Sequence, residues 1–178
     1  MRDVVEHRGS DGLVLGPLRA ADAEVLGPMH VRLWHETYRS LLSPAVIAAA
    51  RGDEAGSTAR WRERGLAHER EGRSSEGART LVARVDDRPV GWCTTGPPRD
   101  DRPAAPLEMW SLYLDPDHQG SGVAAELFAA AAPVGSLYLW VLEGNERAIA
   151  FYRKVGMRTD GTLTHDPRLG AVELRMVR

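Results

Sequence analysis

Apolar residues return every three or four positions over roughly residues 23–42, and this spacing predicts a long helix with one buried face. Its apolar positions run from Val25 to Leu42. Pro44 opens a second short helix that reaches Ala50, and Ser57–Glu69 predicts a third. Leu13, Leu15 and Leu18 come before these helices and predict a first strand.

The middle of the chain changes to short apolar runs bounded by turn residues, which is typical of strands. Thr80–Val85 and Pro89–Thr95 predict a hairpin joined by the turn Asp86-Asp87-Arg88. Leu107–Leu114 predicts a further strand beside them.

The C-terminal half alternates helix and strand more regularly. Pro133 and Gly135 end the first predicted helix, while Asn145 is a good N-cap and Gly156 suits a helix C-terminus. The predicted elements are, in order, helix Gly122–Ala132, strand Leu137–Leu142, helix Asn145–Val155 and strands Met157–Thr164 and Ala171–Val177.

This order predicts one α/β domain over residues 1–178, with a mixed, twisted sheet of six or seven strands and about four helices. Leu107–Leu114 and Leu137–Leu142 are expected to be parallel neighbours that splay apart and leave a wedge for a ligand. Residues 1–10 are candidates for disorder.

Composition narrows the functional classes. With 23 Lys and Arg against 25 Asp and Glu, the net charge of −2 argues against a nucleic-acid partner. Cys93 is the single cysteine, so no intrachain disulfide is expected, and with no apparent signal peptide the expected location is the cytoplasm. The longest uncharged stretch, Leu127–Leu142, is too short for a membrane span. The six histidines show no metal-ligand spacing, so no metal is expected.

The segment Gln119-Gly120-Ser121-Gly122-Val123-Ala124 lies between a predicted strand and a predicted helix. Glycines here let backbone amides at the helix N-terminus approach a phosphate. A P-loop would need Lys after its last glycine, which is absent. A dinucleotide fingerprint fits Gly120, Gly122 and Ala125, with Glu143 about 20 residues further on, but five residues separate the strand from the first glycine. The third pattern is Gln-x-x-Gly-x-Ala, at Gln119, Gly122 and Ala124.

Through this third pattern the chain resembles the GNAT superfamily of acyl-CoA-dependent N-acyltransferases. The resemblance continues through the strand Leu137–Leu142, Asn145 and the phrase from Ala150 to Met157, and it covers the chain from about Leu81 to the C-terminus. It implies an acetyl-CoA-binding core over residues 107–156 and acceptor-side helices over residues 19–70.

The resemblance also implies roles for individual residues. Backbone groups of three strand residues, Leu112, Tyr113 and Leu114, would pair with the pantetheine arm, and the amides of Gln119, Gly120, Ser121, Gly122, Val123 and Ala124 would hold the pyrophosphate. Asn145 would bind the pantetheine, and Tyr152 would be the general acid at the sulfur. The spacing of Asn145 and Tyr152, two helical turns, independently places them on nearly one face, about 10 Å apart.

Glu108 is the candidate general base. A carboxylate in an otherwise apolar strand is unusual because burying it is costly unless it is paired or faces a cleft. It occupies a position that resembles that of the catalytic glutamate in several family members; a solvent-facing strand end is the competing interpretation.

On the acceptor side, Trp34, Tyr38 and Trp110 are candidate substrate-binding residues, with core packing as the alternative. Asp100, Asp101 and Glu36 could attract a cationic acceptor. The expected function is transfer of an acetyl group from acetyl-CoA to a primary amine of a small molecule or peptide, with a homodimer as a plausible assembly. A non-catalytic acyl-CoA-binding module and an NAD(P)-dependent oxidoreductase are the alternatives.

Overall fold

The computed structural model describes residues 7–8, 12–132 and 135–178. The described strands are β1 His7–Arg8, β2 Leu13–Pro17, β3 Arg79–Val85, β4 Arg88–Gly96, β5 Leu107–Leu114, β6 Leu137–Leu142, β7 Arg158–Asp166 and β8 Ala171–Val177. The described α-helices are α1 Ala23–Tyr38, α2 Pro44–Arg51, α3 Glu54–Glu71, α4 Val123–Ala131 and α5 Glu146–Lys154.

The strands form one mixed sheet in the order β1-β2-β3-β4-β5-β6-β8-β7. Among the described strands only β5 and β6 pair in parallel, and the pairing covers just Leu107–Met109 and Leu137–Leu139. This confirms the predicted mixed sheet and its splayed parallel neighbours. A doubly wound parallel sheet, which the dinucleotide interpretation requires, is not what these strands form.

A β-bulge lies where β5 separates from β6. Thr94 pairs with Ser111 and Thr95 with Met109, so Trp110 is an extra residue on β5. An extra residue bends its strand and increases the local twist. The bend lies at the last residue pair between β5 and β6. The bulge is therefore a local cause of the wedge that opens between these two strands.

Local signals explain most helix boundaries. The Ser43 hydroxyl accepts from the Val46 amide, and the Asp53 carboxylate accepts from the Gly56 amide at 2.7 Å, so both residues cap helices. The third helix therefore starts earlier than the predicted Ser57. The first helix ends at Tyr38 rather than continuing to Leu42, and in the turn that follows the Leu41 and Leu42 amides both donate to the Tyr38 carbonyl.

The β3–β4 turn is tighter than predicted. Asp86 and Asp87 both have positive φ angles, of 50° and 63°, so two residues make the turn and Arg88 already belongs to β4. Such a pair is typical of the type I′ hairpin, whose twist matches that of the strands.

Two apolar layers cover the sheet. One joins it to α4 and α5 and includes Met109, Leu127, Leu139 and Ile149; the other joins it to α1 and α3 and includes Leu26, Trp61 and Trp92. The predicted disorder of residues 1–10 is not seen at His7–Arg8, which pair with β2; the rest of that segment, and the predicted helix stop at Pro133, lie outside the described residues.

Candidate active site

A cleft opens at the wedge between β5 and β6. Its volume is 1710 Å³, above the roughly 300–1,000 Å³ that is typical of small-molecule pockets. Residues of α1, α2, β5, β6, α5 and the β7–β8 turn line it. The cleft therefore has room for two ligands, one entering over the loop before α4 and one from the α1 side.

The glycine loop forms the first wall. Gly120 and Gly122 have φ angles of 82° and 96°, which a side chain makes costly, and a Cβ on either would meet no atom within 4 Å. Gly122 is the N-cap of α4 and provides no side-chain cap; the Val123 amide donates to the Ser121 hydroxyl at 3.5 Å and the Ala125 amide to the Gly122 carbonyl at 2.9 Å. An anion fits here because the helix N-terminus carries a partial positive charge.

The rest of the loop is held by its own hydrogen bonds. The Ser121 hydroxyl donates to the His118 carbonyl at 2.6 Å, and the Gln119 side chain donates to the Leu114 carbonyl at 3.4 Å. Val123 is buried while Ala124 lines the cleft. These contacts fix the backbone around the two glycines.

The second wall is the free edge of β5. Leu112, Tyr113 and Leu114 pair on one side with Cys93, Trp92 and Gly91 of β4. On the other side β6 has already diverged, and all three β5 residues line the cleft. An extended ligand with amide groups can therefore bind here as an additional strand would.

Asn145 and Tyr152 lie at the start and near the end of α5, and both line the cleft. The Asn145 side-chain oxygen accepts from the Ala148 amide at 3.3 Å, which caps the helix and leaves its NH₂ group as a donor. The structure therefore shows Asn145 as the cap of α5, and its predicted contact with the pantetheine stays a prediction.

Tyr152 is 8% exposed and packs against Phe151, with ring centroids 5.4 Å apart. Burial raises the pKa of its hydroxyl, with smaller contributions from Cys93 and Tyr113. In the described part of the chain this hydroxyl makes no hydrogen bond. Tyr152 is therefore a protonated donor at neutral pH.

Glu108 is only 1% exposed, and both of its carboxylate oxygens are engaged. Oε2 accepts from the Arg99 amide at 2.8 Å and from the Tyr138 hydroxyl at 3.2 Å, while Oε1 accepts from the Arg99 guanidinium at Nε (3.0 Å) and at Nη2. Four donor groups, three of Arg99 and one of Tyr138, therefore occupy the two carboxylate oxygens. The role of general base that the sequence predicts for Glu108 stays a prediction.

The predicted acceptor-side aromatic residues all line the cleft. Trp34 and Tyr38 lie one turn apart, with ring centroids 4.3 Å from each other and the ring planes tilted by 55°, and the Tyr113 hydroxyl donates to the Tyr38 hydroxyl at 3.4 Å. Trp34 is 5% exposed and packs on Leu42, so it also serves the core.

Trp110, the bulge residue, lies under the Arg99 guanidinium at 4.9 Å and donates to the Pro97 carbonyl at 3.2 Å. Of the acidic residues expected to attract a cation, Glu36 and Asp100 line the cleft and Asp101 does not.

The cleft wall also contains Trp140, Asp166 and Glu173, which are not among the predicted site residues. The Trp140 indole donates to both Asp100 carboxylate oxygens, at 3.0 and 3.1 Å. Glu173 lies on β8 opposite Leu142 of β6, and burial raises the pKa of its carboxyl. The sequence does show Glu173 as an acidic residue inside the predicted strand Ala171–Val177. The strand that pairs with it cannot be inferred from the local sequence.

Neither a metal centre nor a membrane-spanning helix is found in the ranges 7–8, 12–132 and 135–178. No three His, Cys, Asp or Glu side chains there are grouped to hold a metal ion. No helix there is long and apolar enough to cross a bilayer.

Comparisons with known proteins agree with this geometry. The sequence model of the acetyltransferase (GNAT) family matches residues 34–157. An uncharacterised N-acetyltransferase of Mycobacterium tuberculosis is 41% identical over 99 residues, which are 51% of this chain and 58% of that protein. The chain thus spans under two thirds of the length of this relative.

Two further similarities come from a named enzyme and a solved structure. The spermidine N(1)-acetyltransferase of Escherichia coli is 34% identical over 64 residues, 32% of this chain and 34% of that enzyme. The crystal structure of the PaiA N-acetyltransferase of Thermoplasma acidophilum with coenzyme A has a TM-score of 0.69 at 19% identity, covering 92% of this chain and 97% of that one. At this identity the structural likeness concerns the fold.

Proposed function

The chain belongs to the GNAT acetyltransferase family, and from that premise we propose that it transfers the acetyl group of acetyl-CoA to a primary amine of a small molecule or peptide. Family membership makes it an acyltransferase that uses acetyl-CoA. The acceptor and the residues that move protons are our proposals.

The observation that carries the proposal is the continuity of the donor-side wall. The glycine loop offers helix N-terminal amides to the pyrophosphate, the free edge of β5 offers backbone groups to the pantetheine amides, and Asn145 adds a side-chain donor. The residues present therefore fit acetyl-CoA, which when bound supplies an activated thioester carbonyl.

Tyr152 is proposed as the acid that gives its proton to the departing sulfur. It lines the cleft beyond the end of this wall, and its burial keeps it protonated at neutral pH. An acid there offsets the cost of expelling a thiolate into a partly dry cleft.

The acceptor half supports an amine that carries positive charge. Acidic side chains line it, and the aromatic ring of Tyr38 suits the carbon chain of such a molecule. The named relative from E. coli acts on spermidine, a polyamine, which agrees with this acceptor class.

Thiol release from acetyl-CoA, measured across monoamines, spermidine and lysine-containing peptides, tests the proposal. We expect release that depends on an added amine and yields the acetylated acceptor by mass spectrometry. Coenzyme A binding by calorimetry without turnover of any amine would contradict the proposal and favour a non-catalytic acyl-CoA-binding module.

A further inference from the structure

One carboxylate in the cleft differs from the others in its contacts. Within the described residues, five carboxylates line the cleft, and four of them are held by a donor. The held residues are Glu36 with Arg32 at 3.5 Å, Asp100 with Trp140, Glu108 with Arg99, and Asp166 with Arg168 at 2.8 Å. The Glu173 carboxylate forms no hydrogen bond or ion pair with any residue in those ranges.

The strand register directs Glu173 to the acceptor side of the sheet. It lies opposite Leu142 on β6 and opposite Thr164 on β7. Alternate residues of a strand share a face, so Glu173 shares the face of Tyr138, whose hydroxyl contacts Glu108. The two glutamates thus belong to one cleft wall but lie on different strands, β5 and β8.

Its surroundings favour uptake of a proton. The charged groups that face it are Asp166 and Arg168, from the end of β7 and the turn after it, and Arg99 and Asp100 from the β4–β5 connection. Burial raises the pKa of Glu173 most, the two aspartates raise it further, and the two arginines oppose this. Raising the pKa of a carboxylate toward neutral pH improves it as a base.

We propose that Glu173 is the base that takes the proton from the ammonium group of the acceptor. This rests on the proposed function. An N–H bond of the ammonium breaks and leaves its electron pair on nitrogen, an O–H bond forms on the carboxylate, and the resulting carboxylic acid later releases the proton to water. Glu108, held by Arg99 and Tyr138, then serves to position the β4–β5 connection.

Glu173→Gln tests this because it keeps the size of the side chain and removes its basicity. At pH 7 we expect kcat/KM to fall by about 100-fold or more, as is typical of a lost general base. In the unmodified protein, kcat/KM should rise with pH along an acidic limb and level off above the pKa of the base. In Glu173→Gln this levelling off should be lost. Activity should instead rise about tenfold per pH unit with the free-amine fraction, up to the pKa of the acceptor. The matched control is Glu108→Gln, which should retain the acidic limb.

A readout without substrate accompanies the kinetics. Carbon-13 NMR of labelled glutamate carboxyl groups should show one resonance that titrates above the ordinary range and is absent from Glu173→Gln. Glu173→Asp, which keeps a carboxylate, should retain the acidic limb even if Glu173→Gln fails to fold. Calorimetry should give unchanged coenzyme A affinity in all three variants.

If kcat/KM of Glu173→Gln levelled off at the same pH as that of the unmodified protein, or if Glu108→Gln no longer levelled off there, the proposal would be overturned. So would a Glu173 resonance that titrates in the ordinary range. Failure of the proposed function is distinct from these outcomes, because it would appear in the unmodified protein as binding of coenzyme A without acetylation of any amine.

Discussion

The donor half and the acceptor half of the cleft are built in different ways. The donor half, where we propose that acetyl-CoA binds, uses two short segments, residues 112–124 and 145–152, and contains two glycines of positive φ. The acceptor half gathers side chains from α1, the β4–β5 connection, β6 and β8. Backbone recognition requires particular residues at fixed spacing, whereas a wall of side chains can be assembled from many sequences.

Substituting each of the two buried tyrosines of the cleft tests whether the proton donor lies in the donor half. Burial raises the pKa of both Tyr152 and Tyr138, so neither ionises between pH 6 and 9. Tyr152→Phe should lower kcat by roughly 100- to 10,000-fold with acetyl-CoA affinity unchanged.

The control is Tyr138→Phe, which removes the hydrogen bond to Glu108 and should change kcat by only a few-fold. Since Tyr152 stays protonated over this range, its loss should not remove a limb from the pH profile. Equal losses of kcat in the two variants would show that the tyrosines act through structure alone.

Gly122 tests backbone recognition. Gly122→Val strains a residue whose φ is 96° and places side-chain atoms in the open space above the loop. The strained backbone should cost about 1–3 kcal/mol of stability, while the added side chain blocks the anion site, so we expect acetyl-CoA affinity by calorimetry to fall tenfold or more.

Gly72→Val is the matched control, because Gly72 has a φ of 70°, a Cβ there would also meet no atom within 4 Å, and it ends α3 instead of lining the cleft. Both variants should melt at lower temperature, but only Gly122→Val should bind coenzyme A more weakly. Unchanged coenzyme A affinity in Gly122→Val would show that the pyrophosphate does not bind at this loop.

Asp100 tests charge selection by the acceptor half, and the expected effect is the smallest. Asp100→Asn keeps an oxygen for the Trp140 indole but removes one negative charge. A half-exposed ion pair contributes up to about 1 kcal/mol, so KM for a diamine should rise about fivefold at low salt and less at high salt.

The acetyl-CoA affinity of Asp100→Asn should not change, and the KM for a monoamine of similar length should change less than that for the diamine. A salt-independent rise of KM for both acceptors would indicate that the variant disturbs packing rather than charge.

The sequence alone determined the donor half because its signals are local. Glycines at 120 and 122 mark the backbone conformation of the loop, Asn145 marks the start of α5, and the apolar run Leu137–Leu142 marks a strand buried on both faces. In each case the residue type follows from the backbone conformation or the burial at that one position. The mixed sheet and the splay of β5 from β6 followed from the order of these elements.

Only the tertiary structure decided which carboxylates line the same cleft and which of them are bound by a hydrogen-bond donor. The contact between Glu108 and Arg99 depends on the path of the β4–β5 connection, and the placement of Glu173 depends on the insertion of β8 between β6 and β7. A shift of one residue in that register would turn Glu173 to the opposite face. Register and strand order are set by pairing between distant segments, so the protonation partners of the acceptor half could not be read from local sequence.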